Sequence, residues 1–138
     1  MAAGPLFLCA LAWGAGDIRL ESGSTLTVAD VQHSRILPHA FHDQALSSLP
    51  RLFPGHVLLA SRRSGVLGEV AYALVCYKES PASERVVIQV NAVHRDRAWS
   101  LDAIAPASYG DTLVQVLEQV GKLPSTPDTP RTPEGGRR

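Results

Sequence analysis

The chain has 138 residues, with 13 Lys and Arg against 13 Asp and Glu, so its formal charge is zero. That length is about one domain, and the balance argues against two function classes that need a cationic surplus. One is binding along a phosphate backbone; the other is docking on a membrane surface through a basic amphipathic face. Hydrophobic residues are 45% of the chain and aromatic ones 6%, so the expected core is single, modest and aliphatic.

Pro5 to Trp13, PLFLCALAW, is an apolar run of signal-peptide length, and Ala12, Gly14, Ala15 and Gly16 supply small residues for a peptidase site. Residues 1–16 therefore read as a removable leader. No Lys or Arg precedes the run, so two other readings stay open: a buried first strand or helix, and a misplaced start codon that has clipped the charged residues. The run is too short to span a bilayer, and Leu8 ahead of Cys9 is too large for a lipoprotein cleavage motif. A cleaved leader makes the protein secreted or periplasmic; a retained one leaves it cytoplasmic.

Residues 17–123 are expected to form one α+β domain. Asp17 to Val28 alternates around Ser22 and Gly23 and predicts a hairpin. After a connection over 30–38, Phe41, Ala45, Leu49, Leu52 and Phe53 mark one face of a helix over 40–53. Pro50 is expected to kink or end it early, and Phe53-Pro54-Gly55 is a breaker. His56 to Ala60 predicts a short strand, and Ser61 to Gly68 a polar turn region. In Glu69 to Tyr77, Val70, Tyr72, Leu74 and Cys76 face one way while Ala71, Ala73, Val75 and Tyr77 face the other. A strand apolar on both sides lies inside a sheet or under a cover. Arg85 to Val93 and Trp99 to Ala103 alternate with period two, and the three runs are joined by polar turns, which predicts an antiparallel meander.

A closing helix is expected over 109–122, with Ser108 as cap, Asp111 in the first turn and Gly121 as stop. Leu113, Val116, Leu117 and Val120 form its sheet-facing stripe. Burying each is worth roughly 1.5 to 3 kcal/mol as an upper figure. Beyond Leu123, Pro124, Pro127, Pro130 and Pro133 recur every third residue, and residues 124–138 are expected to be a disordered Pro-rich tail. Its Thr-Pro pairs and PxxP spacing suit modification or an SH3-type groove, but a solvated tail is the plainer reading.

Motifs of specific chemistry are sparse. Cys9 and Cys76 are too few for a disulfide framework, and Cys76 in an apolar strand reads as a small buried hydrophobe. His39 and His42 lie one helical turn apart without a carboxylate or thiolate constellation and read as capping or surface residues rather than metal ligands. His94-Arg95-Asp96 resembles a fragment of a kinase catalytic loop but lacks the Asn and the Gly-rich loop that would complete it, so it reads as a hairpin turn. Gly65-Val66-Leu67-Gly68 reads as a turn before a strand. Neither GxGxxG, GxxxxGK[ST] nor GxSxG occurs. No metal or cofactor is implied.

The stretches FPGHVLLASRRSGVLGEVAYALVCYKES (Phe53 to Ser80), RVVIQVNAVHRDRAWSLDAIAP (Arg85 to Pro106) and YGDTLVQVLEQV resemble the PsbP-like or DUF1795-type small domains over about residues 40–120. The resemblance lies in a helix ending in Pro-Gly, a Gly turn before an apolar strand with an aromatic, and an aromatic-bearing strand ending in Ala-Pro before the last helix. It implies a sheet with helices packed against it and no catalytic residues to carry over; the strand pattern makes that sheet antiparallel, a hairpin plus a central meander with two helices. The expected function is a non-catalytic, exported binding or accessory domain, monomeric or homodimeric, acting through a protein partner or a small apolar ligand. Two alternatives stand beside it: a small pocket-containing enzyme or ligand-binding protein, and a cytosolic interaction module recruiting through the tail. If the sheet holds a pocket, Tyr72, Gln89, Asn91 and Asp102 are the strand residues able to supply its polar groups; the other reading of Gln89, Asn91 and Asp102 is that they face water.

Overall fold

The computed structural model describes residues 16–31 and 36–123; the expectations for the leader before residue 16 and for the tail after residue 123 lie outside them. The elements are β1 (Gly16–Arg19), β2 (Thr25–Asp30), α1 (Pro38–Leu52), β3 (Val57–Leu67), β4 (Val70–Lys78), β5 (Arg85–His94), β6 (Arg97–Pro106) and α2 (Gly110–Lys122). The six strands make one sheet in the order β1-β2-β6-β5-β4-β3, every neighbouring pair antiparallel. The hairpin and the meander are thus one sheet, joined where β2 lies beside β6 with Leu26 opposite Ala103 and Val28 opposite Leu101.

Period-two alternation gives the sheet two unlike faces. One carries Leu26, Val28, Val70, Tyr72, Leu74, Cys76, Val86, Ile88, Val90, Ala92, Trp99, Leu101, Ala103 and Ala105, and α2 covers it with Val116 and Val120. This is the main core. The other face receives α1, where Leu49 packs on Val75 and Tyr77 with Phe41, Ala45, Leu46 and Phe53 around them. The two helices therefore sit on opposite faces. α2 is also fastened to the first hairpin: Thr112 Oγ1 donates to Ser22 Oγ at 2.9 Å, and the Ser22 N–H donates to Gln115 Oε1 at 2.9 Å.

Several local expectations are corrected. The polar Ser61 to Gly68 region is not a turn; β3 runs through it to Leu67, so the meander has four strands. β3 is an edge strand, so Arg62, Arg63 and Ser64 face water without breaking the ladder, and two bulges absorb its extra residues. The turn is Gly68-Glu69 alone, with Gly68 at φ 63°. The turn read at His94-Arg95-Asp96 is narrower: His94 pairs with Arg97 in the ladder, and the β5–β6 turn is Arg95-Asp96. α1 starts at Pro38, which presets the first turn, and tolerates Pro50 in its last turn at an exposed position. Ser108 does not cap α2: Tyr109 is the N-cap and makes no side-chain cap bond, although Asp111 stands in the first turn where the helix dipole favours it. Gly121 lies inside that helix and does not end it.

Candidate functional site

The face that receives α1 is only half covered. Strand pairing lays out its side chains in rows across the sheet: Ala73, Asn91 and Ser100; then Val75, Gln89, Asp102 and Thr27; then Tyr77, Val87 and Ile104. α1 packs over the β4 end of these rows. Beyond its flank the β5-β6-β2 portion is open and forms a groove of two neighbouring hollows. One, of about 250 Å3, is lined by Phe41, Gln44, Ala45, Ser48, Leu49 and Leu52 of α1 with Tyr77 and Gln89. The second, of about 360 Å3, lies over Thr25, Thr27, Val87, Asp102, Ile104 and Glu79. Tyr77 and Gln89 belong to both. Leu52 and Ile104, 67% and 46% exposed, leave apolar surface on either side.

Two polar groups of the groove, Ser48 and Asp102, are hydrogen-bonded within the chain, by Arg51 and Ser100. Gln89 makes no hydrogen bond to any described residue, and neither Glu79 nor Asp102 forms a salt bridge among the described residues. The Asp102 carboxylate is open at its tip, yet the sheet face around it displaces water and pushes its pKa above the ordinary range. A hydrogen bond from Ser100 offsets this only in part. Burial raises the Tyr77 phenol in the same direction, with the charges of Glu79 and Asp102 adding to it. The Tyr77 ring is held from behind by Phe53, 6.1 Å away between centroids.

The four residues expected at a pocket divide. Gln89 and Asp102 are brought together, directly opposite each other on β5 and β6. Asn91 is one row away but buried, 3% exposed, and lines neither hollow; its Oδ1 has no partner among the described residues. Tyr72 is corrected outright. Its even position on β4 turns it to the α2 face, where it belongs to the main core and its ring lies over Gly65 of β3. Tyr77, Glu79, Thr25 and Thr27 were missed. The strand alternation that placed Tyr77 opposite Tyr72 was a usable signal for the first; the β2–β6 pairing that brings in the threonines has none in the local sequence.

A second polar cluster lies on the far side of α1. His42, expected at a cap or on the surface, is buried, with Nδ1 3.2 Å from Asp43 Oδ1. Arg63 Nε and a terminal nitrogen donate to the Asp43 carboxylate at 3.1 Å each, which ties α1 to β3 and holds the Asp43 pKa down at about 2. The pair is exposed and of modest energetic worth. Cys76 is a buried free thiol, its pKa raised to about 11 by desolvation. Among the described residues no three His, Cys, Asp or Glu side chains converge in metal-ligand fashion, and no helix is long and apolar enough to cross a membrane.

No family model and no curated protein matches the chain. Among solved structures it is similar to the crystal structure of a Pseudomonas aeruginosa protein of unknown function, described as a candidate regulator. The two are 14% identical with a TM-score of 0.53, over 72% of this chain and 71% of that one. At that identity the likeness is one of fold.

Proposed function

We propose that the chain is a non-catalytic binding domain that holds a protein segment or a small apolar ligand in the groove beside α1. The observation that carries this reading is the half-covered sheet face: an apolar floor of Tyr77, Val87 and Ile104 set among polar side chains, of which Gln89 makes no hydrogen bond to any described residue. Ligand sites combine these two properties, since apolar area supplies affinity and a few convergent polar groups supply orientation. The second hollow falls within the usual range for such sites. Export belongs to the same proposal and is supported by the apolar run Pro5 to Trp13. So does membership of the PsbP-like group, which rests on the sequence pattern of residues 40–120.

The test is titration with the neutral apolar dye Nile red. Saturable binding with a blue-shifted emission is expected, and it is lost on Leu52→Glu or Ile104→Glu, two exposed positions whose substitution spares the core. Absence of saturable binding, or binding indifferent to both substitutions, refutes the proposal.

A further inference from the structure

The two helices are held on the sheet very unequally. α2 buries Thr112, Val116 and Val120 against the main core, and two side-chain hydrogen bonds fasten it to the first hairpin. α1 buries only Leu49 and His42 of its own residues, and the cluster beneath it has three buried members, Leu49, Val75 and Tyr77. His42 adds little to that attachment. Its hydrogen-bond partner is Asp43, the next residue of the same helix, so the bond travels with α1, and burying an imidazole gains less than burying an aliphatic side chain. Among the described residues the side-chain hydrogen bonds from α1 to a strand are those between Asp43 and Arg63, an exposed pair. No strand pairing runs through α1, and the main core lies on the opposite face.

We propose that α1 is a lid, which lifts and unwinds as a unit while the six strands and α2 stay folded. Elements with few buried apolar contacts open first, at a free energy below that of global unfolding. An isolated helix of 15 residues is marginal in water, so α1 loses its helical hydrogen bonds once it leaves the sheet. Lifting breaks the Asp43–Arg63 pair and bares Val75, which is fully buried when the lid is down, together with Tyr77. Leu58, Tyr77, Val87 and Ile104 stand opposite one another in turn across β3, β4, β5 and β6. With the lid up, that row is a single apolar strip, and the half-covered face becomes one surface. The lid operates whether or not the groove holds a ligand.

The test is hydrogen exchange of the native full chain, read residue by residue by NMR in urea concentrations below the unfolding transition. Relative to their intrinsic rates, α1 amides are expected to exchange about 100-fold or more faster than the slowest amides of β5 and β6. Their exchange should also depend less on urea, because lifting one helix exposes less surface than unfolding the chain. Ile88→Val separates the two kinds of opening. Ile88 is fully buried in the main core, away from α1, so this substitution weakens the sheet equally with the lid down or up. It is expected to speed β5 exchange about threefold to tenfold and to leave α1 exchange unchanged. α1 amides with the protection and urea dependence of β5, or accelerated by Ile88→Val as much as β5 is, overturn the inference.

Discussion

Gly65→Ala is a single-methyl change whose cost follows from the contact between β3 and β4. Gly65 stands opposite Tyr72 in the ladder, and the tyrosine ring lies across it. A Cβ at residue 65 meets ring atoms Cζ and Cε1 at 2.5 and 2.6 Å and the hydroxyl oxygen at 2.8 Å, about 1 Å inside ordinary contact. The ring has no easy retreat, because Tyr72 is 5% exposed within the main core. Overpacking of this kind costs roughly 1 to 3 kcal/mol, and for a domain of this size each kcal/mol lowers the melting temperature by about 4 to 8 °C.

Urea unfolding followed through Trp99, which is fully buried, measures the loss. A double-mutant cycle with Tyr72→Ala then identifies its cause. Tyr72→Ala alone costs roughly 3 to 5 kcal/mol, but in its presence the added methyl meets no ring, so the two changes are expected to be coupled by about 1 to 3 kcal/mol. A Gly65→Ala protein within about 0.5 kcal/mol of wild type, or strict additivity in the cycle, refutes the account of Tyr72 as the cover of a bare strand position.

Two other predictions concern buried or half-buried ionisable groups. Asp102 has a folded pKa above its ordinary 3.8, so its contribution to stability is full below that value and is lost as pH rises through the folded pKa. Asp102→Asn is therefore expected to unfold at higher urea than wild type at pH 7, with the difference closing in acid; an asparagine variant less stable at pH 7 contradicts this. The Cys76 thiol, buried with a pKa of about 11, is expected to resist iodoacetamide at pH 8 in the folded chain and to react once urea unfolds it, as intact mass will report; ready alkylation of native Cys76 counts against its burial.

Side-chain alternation made the meander legible, because one face of its strands is buried under α2 in the main core. In β4 and β5 every other residue from Val70 to Cys76 and from Val86 to Ala92 is aliphatic, aromatic or Cys, and the structure turns all of them to one face. The same alternation holds the answer to where Tyr72 points, since it shares parity with Val70 and Leu74; its chemistry suggested a ligand contact, and its position makes it core. β3 was half missed for the opposite reason. An edge strand buries little, so Ser61 to Ser64 carry the composition of a loop while their backbone stays in the ladder.

The period of the apolar residues alone implies two helices, a hairpin, a strand apolar on both sides and the approximate position of most elements. It also placed Gln89 and Asp102 on strand faces opposite the aliphatic ones. That β2 pairs with β6, that the helices take opposite faces and that α1 packs at the β4 end emerge from the folded arrangement. Those are long-range choices between surfaces of similar hydrophobicity, and the hydrophobic effect is non-directional. Local pattern says what must be buried; the pairing register says against what. The groove exists because α1 covers the β4 end of a six-stranded face and leaves Gln89, Asp102 and Ile104 at the other, a fact that belongs to no single segment of the chain.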